Sequence, residues 1–296
     1  MSVALLAYVL DRLFSEFGFI RHPVQVFGDF ITWFEKLFYK DSVFRGAVLL
    51  LVSVIIFGSI ALLIERVTSI FNPFIEIAIL GFLSSMFLAH TMLYQSVLNV
   101  ANSNEPQRDV AMIVSRDTKE LTNSQSYKAA IESYAENLSD GVIAPLFFLL
   151  LFGFSGVVIY KVINTLDSMV GYKTKHYINF GKVSALTDDV VNFIPSRITA
   201  FLIALLTFRR RSFRYANFAK GHESPNAGYP ISAMALYLGV SLGGATSYFG
   251  KIKEKPYFGD GRKEINKNDV LKALEFRNSV DVFIIILLVF GSIYGV

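Results

Sequence analysis

Apolar runs of helix length, rather than short alternating segments, set the pattern of this chain, and polar residues gather between them in dense blocks. Gly46–Ile64 is an uncharged run of 19 residues and predicts a spanning helix. Phe74–Val97 is a second long run, with Glu76 near its start and His90 inside it. Gly141–Tyr160 is a third, 20 residues long and broken by Gly153-Phe154-Ser155-Gly156. Val190–Phe208 is apolar but carries Pro195 and Arg197. Val282–Val296 has only 15 residues, short of the roughly 20 that a span needs. Tyr229–Gly250 is uncharged but rich in Gly and Ser, and reads as a buried or membrane-associated segment rather than a span. Ahead of all these, Val24, Phe27, Ile31, Phe34 and Phe38 recur at helical spacing. They predict an amphipathic helix over 24–40 that lies in the interface, where Trp33 and the lysines would sit well, or packs on the bundle. The expected fold is all-α: a polytopic integral membrane helical bundle, one domain over 1–296. It would have about three to five full spans, interrupted or re-entrant helices, and an interfacial amphipathic N-terminal helix.

Composition agrees. The chain is 53% hydrophobic and 18% charged, with 28 Phe, which is too apolar for an ordinary soluble domain. With no cysteine, disulfides, thiolate metal sites and a Cys nucleophile are excluded. The N-terminus has no basic region or small-residue cleavage site, so no cleaved signal peptide is expected. Of the 28 Lys and Arg, 13 fall between Arg209 and Arg277. In so apolar a chain this marks the cytoplasmic side rather than nucleic-acid binding. Five basic residues precede or open the first span and only Arg66 follows it, so the N-terminus is expected inside. Strict alternation would then put 161–189 outside, away from the acids at 132–140. A single site cannot straddle a bilayer, so 141–160 and 190–208 are not both expected to cross fully. Each carries its own interruption, Gly-Phe-Ser-Gly or Pro-Ser-Arg.

The polar block between Arg116 and Arg197 is where chemistry is expected, since ionisable groups beside apolar spans are expensive and mark function. Glu132, Glu136 and Asp140 recur every four residues and would form one acidic helical stripe, flanked by Asn137. Asn164, Asp167, Ser168 and Gly171 share a second face, and Asp188, Asp189 and Asn192 a third. Oxygen ligands without cysteine point to a hard cation, with Mg²⁺ held by one or two carboxylates and substrate phosphate. Glu132, Glu136, Asp140, Asp167, Asp188 and Asp189 are the candidate metal ligands. Arg116, beside Asp117, and Arg197 are the candidate phosphate clamps. Lys161 and Lys173 are weaker ones, and Asn226, in the turn S-P-N-A-G-Y-P at 224–230, could reach a ligand. The four histidines lack zinc-site spacing and read as structural; there is no P-loop. The G-V-S-L-G-G run at 239–244 is weak evidence for phosphate and as good for close packing. From the residues alone, the chain is a multi-pass membrane enzyme with a cytosol-facing, Mg²⁺-dependent site for phosphorylated substrates. A Mg²⁺-dependent prenyl- or lipid-phosphate transferase, a transporter and a membrane scaffold stay open at this level.

These motifs resemble the CobD/CbiB family of cobalamin-biosynthesis membrane proteins. The resemblance rests on S-R-D-T-K-E-L at 115–121, A-A-I-E-S-Y-A-E-N-L-S-D-G-V-I-A-P-L at 129–146, Y-K-V-I-N-T-L-D-S-M-V-G-Y-K at 160–173, F-G-K-V-S-A-L-T-D-D-V-V-N-F-I-P-S-R at 180–197 and S-P-N-A-G-Y-P at 224–230. It runs from about residue 8 to 295 of the chain. Two departures stand out: Phe17-Gly18-Phe19-Ile20-Arg21 replaces the family's Gly-Asp-Pro, and Pro195-Ser196-Arg197 its P-A-R. The resemblance implies adenosylcobinamide-phosphate synthase activity in the cytoplasmic membrane of a prokaryote. In that activity adenosylcobyric acid is joined to (R)-1-amino-2-propanol phosphate, or ethanolamine phosphate, with ATP and Mg²⁺ as cofactors and an acyl phosphate between. Other corrinoid-pathway enzymes and the bilayer are the implied partners. Carried onto this sequence, the implied catalytic set is Arg116, Asp117, Glu132, Glu136, Asn137, Asp140, Asn164, Asp167, Ser168, Asp188, Asp189, Asn192 and Arg197. Arg116, Arg197, Lys173 and Asn226 would bind the nucleotide.

Overall fold

The computed structural model describes residues 1–15, 17, 21–248 and 250–294. The chain is helical almost throughout and divides into two compact units, each discontinuous in sequence. The first comprises 1–89, 144–192 and 287–296, and the second 90–143 and 193–286.

In the first unit, α1 (Ser2–Phe14) packs along α4 (Pro73–Ser85), a helix the apolar pattern did not single out. Helix α2 (Pro23–Phe38) matches the expected amphipathic element. His22 caps it by accepting from the Val24 amide at 3.3 Å, and Pro23 opens its first turn. Its Phe27, Ile31 and Phe34 are buried while Trp33 and Leu37 stay exposed. Helix α3 (Val43–Thr68) is the firmest span. Only a glycine fits at 46, where the backbone carbonyl of Phe180 presses on the helix. The Phe74–Val97 run forms two helical pieces, α4 and α5 (His90–Asn102), broken at Met86–Ala89; α5 belongs to the second unit.

Helix α8 (Ala144–Val170) is broken where the sequence indicated. Gly153 has φ +70°, and the carboxylate of Glu65 on α3 accepts from the Ser155 amide at 3.0 Å, capping the second half. A long side chain from a neighbouring span thus satisfies a backbone donor that the break exposes, as apolar surroundings require. Helix α9 (Lys182–Val191) completes the unit's polar face.

In the second unit, α6 (Pro106–Val110) and α7 (Asn123–Leu138) follow α5, and Thr122 with Gln125 forms a capping box that starts α7. One turn of π-helix over Ser139–Ile143 joins α7 to α8. Helix α10 (Phe193–Leu206) follows α9 with a bend of 46°. The break lies at Asn192, not at Pro195, because proline in a first helical turn removes no internal hydrogen bond. A 3₁₀ turn (Arg210–Arg214), α11 (Ala216–Ala219) and the buried α12 (Gly228–Leu238) come next. Four short strands the pattern did not predict form two antiparallel pairs: β1 (Leu242–Gly243) with β4 (Tyr257–Phe258), and β2 (Thr246–Tyr248) with β3 (Lys251–Lys253).

The C-terminal run was expected to be too short to span. In the structure it is the second half of α13 (Lys267–Tyr294), 28 residues long, which starts in polar sequence where Asn266 and Asp269 cap each other. Among the described residues, four helical stretches are long and apolar enough to cross a membrane: 43–68, 73–102, 123–170 and 267–294; the bent pair 182–206 makes up to five. The departure at 17–21 falls largely outside the described residues, as do Phe249 and the last two residues of the C-terminal run.

Candidate functional site

Two polar clusters emerge, one in each unit. In the first unit α9 packs on α8, and the facing polar residues meet. Asp188, only 8% exposed, accepts from Asn192 Nδ2 at 2.9 Å and from Asn164 Nδ2 at 3.4 Å. The buried Tyr160 hydroxyl donates to Asn192 Oδ1 at 3.0 Å, which turns that amide's NH₂ toward Asp188. Lys161 Nζ donates to Asn164 Oδ1 at 3.3 Å and does the same for the other amide. A buried carboxylate is thus held by two neutral amides, each oriented by a further donor. Asp189, next to it in sequence, and Asp167 on α8 are half-buried, and the Asp167 side chain occupies space at Gly171 that a Cβ would take. Ser168 points its hydroxyl at the Asn164 carbonyl along its own helix, and Lys173 is exposed in the following loop.

In the second unit, the carboxylate of Glu132 is spoken for. Arg116 donates to its Oε2 at 2.6 Å and the Gly243 amide to its Oε1 at 2.6 Å. Lys128, one turn earlier on α7, donates to the Gly243 carbonyl at 2.6 Å. One face of α7 therefore grips both ends of a glycine that sits at φ +78°. Asp117 accepts from Ser247 Oγ at 2.6 Å and the Gly250 amide at 2.8 Å, fixing the β2–β3 hairpin. The G-V-S-L-G-G amides are likewise engaged: Gly239 and Val240 on Ala235, Ser241 on Arg262, Gly243 on Glu132 and Gly244 on Pro256. The weak phosphate reading of that run gives way to a packing one. Glu136 follows Glu132 one turn on along α7, and Asp140 lies in the π turn that succeeds that helix. Asn137 bonds back to Ser133.

Arg197 differs from Arg116 although both are in this unit. Its guanidinium lies between the rings of Phe193 and Tyr229, 3.6 and 4.0 Å from their centroids. It donates to Asn226 Oδ1 at 2.8 Å and to the Pro225 carbonyl at 3.0 Å, so Asn226 and the 224–230 turn are built around it. All its hydrogen-bond partners are neutral, and its charge stays available to an anion.

Among the described residues, no three of His, Cys, Asp and Glu gather closely enough to make a metal centre by themselves. The donor chemistry around Asp188 is all oxygen and fits a hard cation that takes one or two protein carboxylates and leaves its other positions to phosphate and water. Sequence reasoning passed over three participants. Tyr160 and Lys128 look like core and surface residues in isolation. His222 read as structural; it is half-buried, accepts from the Ser224 amide at 3.1 Å and faces Phe258, with Glu132 close enough to act on its charge. Only its position two residues before S-P-N-A-G-Y-P could have drawn notice.

The sequence profile of the family described as CobD/Cbib protein matches residues 4–277. Curated relatives are similar over nearly their whole length. "Cobalamin biosynthesis protein CobD" of Listeria monocytogenes serotype 4b is 35% identical over 305 residues, 97% of this chain and 96% of the relative. The protein of that name from Geobacter metallireducens is 38% identical, covering 90% and 88%. "Probable cobalamin biosynthesis protein CobD" of Pyrococcus furiosus is 37% identical, covering 91% of each. No solved structure matches.

Proposed function

This chain belongs to the CobD/Cbib family, and from that membership we propose that it is a multi-pass membrane enzyme of cobalamin biosynthesis that joins a corrinoid carboxylic acid to an aminoalcohol phosphate at the expense of ATP. The substrates on this reading are adenosylcobyric acid and (R)-1-amino-2-propanol phosphate or ethanolamine phosphate. The observation that supports a phosphoryl-transfer chemistry is the buried Asp188 held only by amides. It is a carboxylate kept ionisable away from water without a cation in hydrogen-bond contact, and that favours a divalent ion brought in with substrate.

The reaction has two steps. The corrinoid carboxylate oxygen bonds to the γ-phosphorus of ATP as the bond to the bridging oxygen breaks, releasing ADP and leaving an acyl phosphate. The free amine then attacks the acyl carbon, inorganic phosphate departs, and the nitrogen gives up its proton. Both steps need alignment and charge stabilisation more than covalent help. Asp188, with one of Asp167 and Asp189, would hold Mg²⁺ together with substrate phosphate, and the ion would supply charge neutralisation there. Asn164 and Asn192 keep the Asp188 carboxylate in place. Arg197, stacked and without an acidic partner, is suited to grip a phosphate group. Arg116 on this reading holds Glu132 and shapes the second unit instead of clamping substrate.

The test is product and ADP formation by detergent-purified protein. ADP and phosphate should appear only when ATP, the corrinoid acid and the aminoalcohol phosphate are all present. Product formed without ATP would instead indicate a transferase of another class, and ATP hydrolysis indifferent to the corrinoid would remove the acyl-phosphate route. Sidedness has its own test, since the chain has no native cysteine. A Lys175→Cys protein should resist an impermeant thiol reagent on intact cells and react in inverted vesicles; labelling from outside would exclude a cytosolic site.

A further inference from the structure

Past the end of α10 the chain becomes cationic and aromatic together. Between Asp189 and Glu223 there is no acidic residue, whereas Arg197, Arg209, Arg210, Arg211, Arg214 and Lys220 all fall in that interval. Helix α10 stops at Leu206, and Phe208 adopts φ +51°, a left-handed conformation uncommon for a bulky side chain. The chain turns there, and the following 3₁₀ turn folds back on α10, so that the Phe213 ring meets Phe201 edge-on at 6.1 Å. Phe201, Leu205, Phe208 and Phe213 form an exposed apolar strip, with Phe208 88% exposed.

The four arginines of this turn do not share one fate. Arg211 donates to the Leu236 carbonyl at 2.5 Å, and Arg214 pairs with Asp260 at 3.2 Å; both tie the turn to its own unit. The Arg209 and Arg210 side chains are exposed, and their guanidinium groups make no hydrogen bond or ion pair with a described residue, although Arg209 lies near enough to Tyr237 for its charge to act on that hydroxyl. Two free guanidinium groups therefore border a solvent-facing aromatic strip at the end of a largely apolar helix.

We propose that Phe208–Arg214 is a binding site for an anionic phospholipid, with the headgroup phosphate held by Arg209 and Arg210 and the acyl region against Phe201, Phe208 and Phe213. A soluble phosphate compound would gain from the two arginines but nothing from the exposed rings. A neutral lipid would gain from the rings but leave the arginines without a counter-charge. An anionic lipid uses both, as clustered basic residues beside a membrane helix do. Arg211 and Arg214 hold the frame. The site is separate from the residues assigned to phosphoryl transfer, so it stands or falls independently of that reading.

The experiment is thermal unfolding of the full chain in a neutral detergent, with phosphatidylglycerol, phosphatidylcholine or inorganic phosphate added. Phosphatidylglycerol should raise the unfolding temperature well beyond phosphatidylcholine, and inorganic phosphate should not. The Arg209→Gln/Arg210→Gln protein should need about 25-fold more phosphatidylglycerol for half the effect, about 5-fold per arginine. The Arg209→Lys/Arg210→Lys protein should stay near wild type. Should the glutamine protein fail to fold, the wild type alone decides: salt of about 1 M, where screening acts over about 3 Å, should erase the difference between the two lipids. Equal protection by both lipids, protection by inorganic phosphate, or an unchanged response in the glutamine protein would each overturn the site.

Discussion

Glu132 and Asp188 are both buried carboxylates in the same motif-rich block, yet the molecule treats them in opposite ways. Glu132 is saturated with charge-assisted bonds, from Arg116 on one oxygen and the Gly243 amide on the other. Asp188 receives only side-chain amides, and each amide is held in turn by Tyr160 or Lys161. A buried ion pair is costly to break, because removing one partner strands the other charge. A buried carboxylate bonded only to neutral groups stays attractive to a cation that arrives later. The first arrangement builds the second unit, and the second, on the proposed reading, keeps a place for chemistry. Residue type and spacing do not distinguish them, which is why the six acids looked equivalent as metal ligands in the sequence.

The comparison breaks most sharply on activity. The Asp188→Asn protein should lose about 10²- to 10³-fold in amide formation, roughly 3–4 kcal/mol of transition-state stabilisation. Its unfolding temperature should hold or rise, since a desolvated charge has gone. Near-full activity in a folded Asp188→Asn protein would remove Asp188 from the site. The opposite split is expected across the other pair. Glu132→Gln should cost about 3–5 kcal/mol of stability by leaving Arg116 buried without its carboxylate. Adding Arg116→Met should restore part of that, a coupling a double-mutant cycle reads directly. If Glu132→Gln is as stable as wild type but inactive, Glu132 belongs with Asp188 and the contrast fails. A smaller effect sharpens it. Tyr160→Phe removes the hydroxyl that orients Asn192 and should cost about 1 kcal/mol in stability. The rate should fall about 5- to 10-fold, seen in kcat more than in KM.

Much of the fold was legible because lipid imposes long apolar runs and tolerates few exceptions. Gly46–Ile64 became α3, and the Gly153 interruption became a true break at φ +70°. Three features were hidden for physical reasons. The C-terminal span was underestimated because α13 begins in polar sequence buried in its own unit, where hydropathy carries no signal. The bend at 192 was assigned to Pro195, although proline is harmless in a first helical turn. Asp140 was placed on one continuous α-helical stripe, whereas it lies in the π turn over Ser139–Ile143, which no residue type in that turn announces. At the site, three carboxylate–amide groups were proposed from spacing; the structure joins Asn192 to Asp188 within one of them, while Asn164 reaches Asp188 from a different helix, which spacing does not show. Their orienting donors, Tyr160 and Lys161, are set by tertiary contact between α8 and α9. Arg116 and Arg197 read alike in sequence because their different partners, Glu132 and Asn226, come from distant segments.

The smallest expected effect lies on the Glu132 side and tests whether that region is structural throughout. Burial, and after it Lys255, holds the His222 imidazole below the usual histidine range, while Glu132, Glu223 and the Ser224 backbone pull weakly the other way. The folded protein therefore resists protonating His222 while the unfolded chain accepts a proton near the ordinary value of about 6.5. Between the two values the unfolded state binds more protons. Stability contributed by the neutral imidazole is full above about pH 6.5 and is lost as pH falls through the lowered folded value. His222→Gln should flatten this slope. Unfolding temperatures of the two proteins against pH give the measurement. Parallel curves for the two proteins would mean that folding leaves the proton affinity of His222 unchanged; a wild type that gains stability relative to His222→Gln on acidification would mean that His222 is charged in the fold, adding a cation to the region around Glu132 beside Arg116 and Lys128.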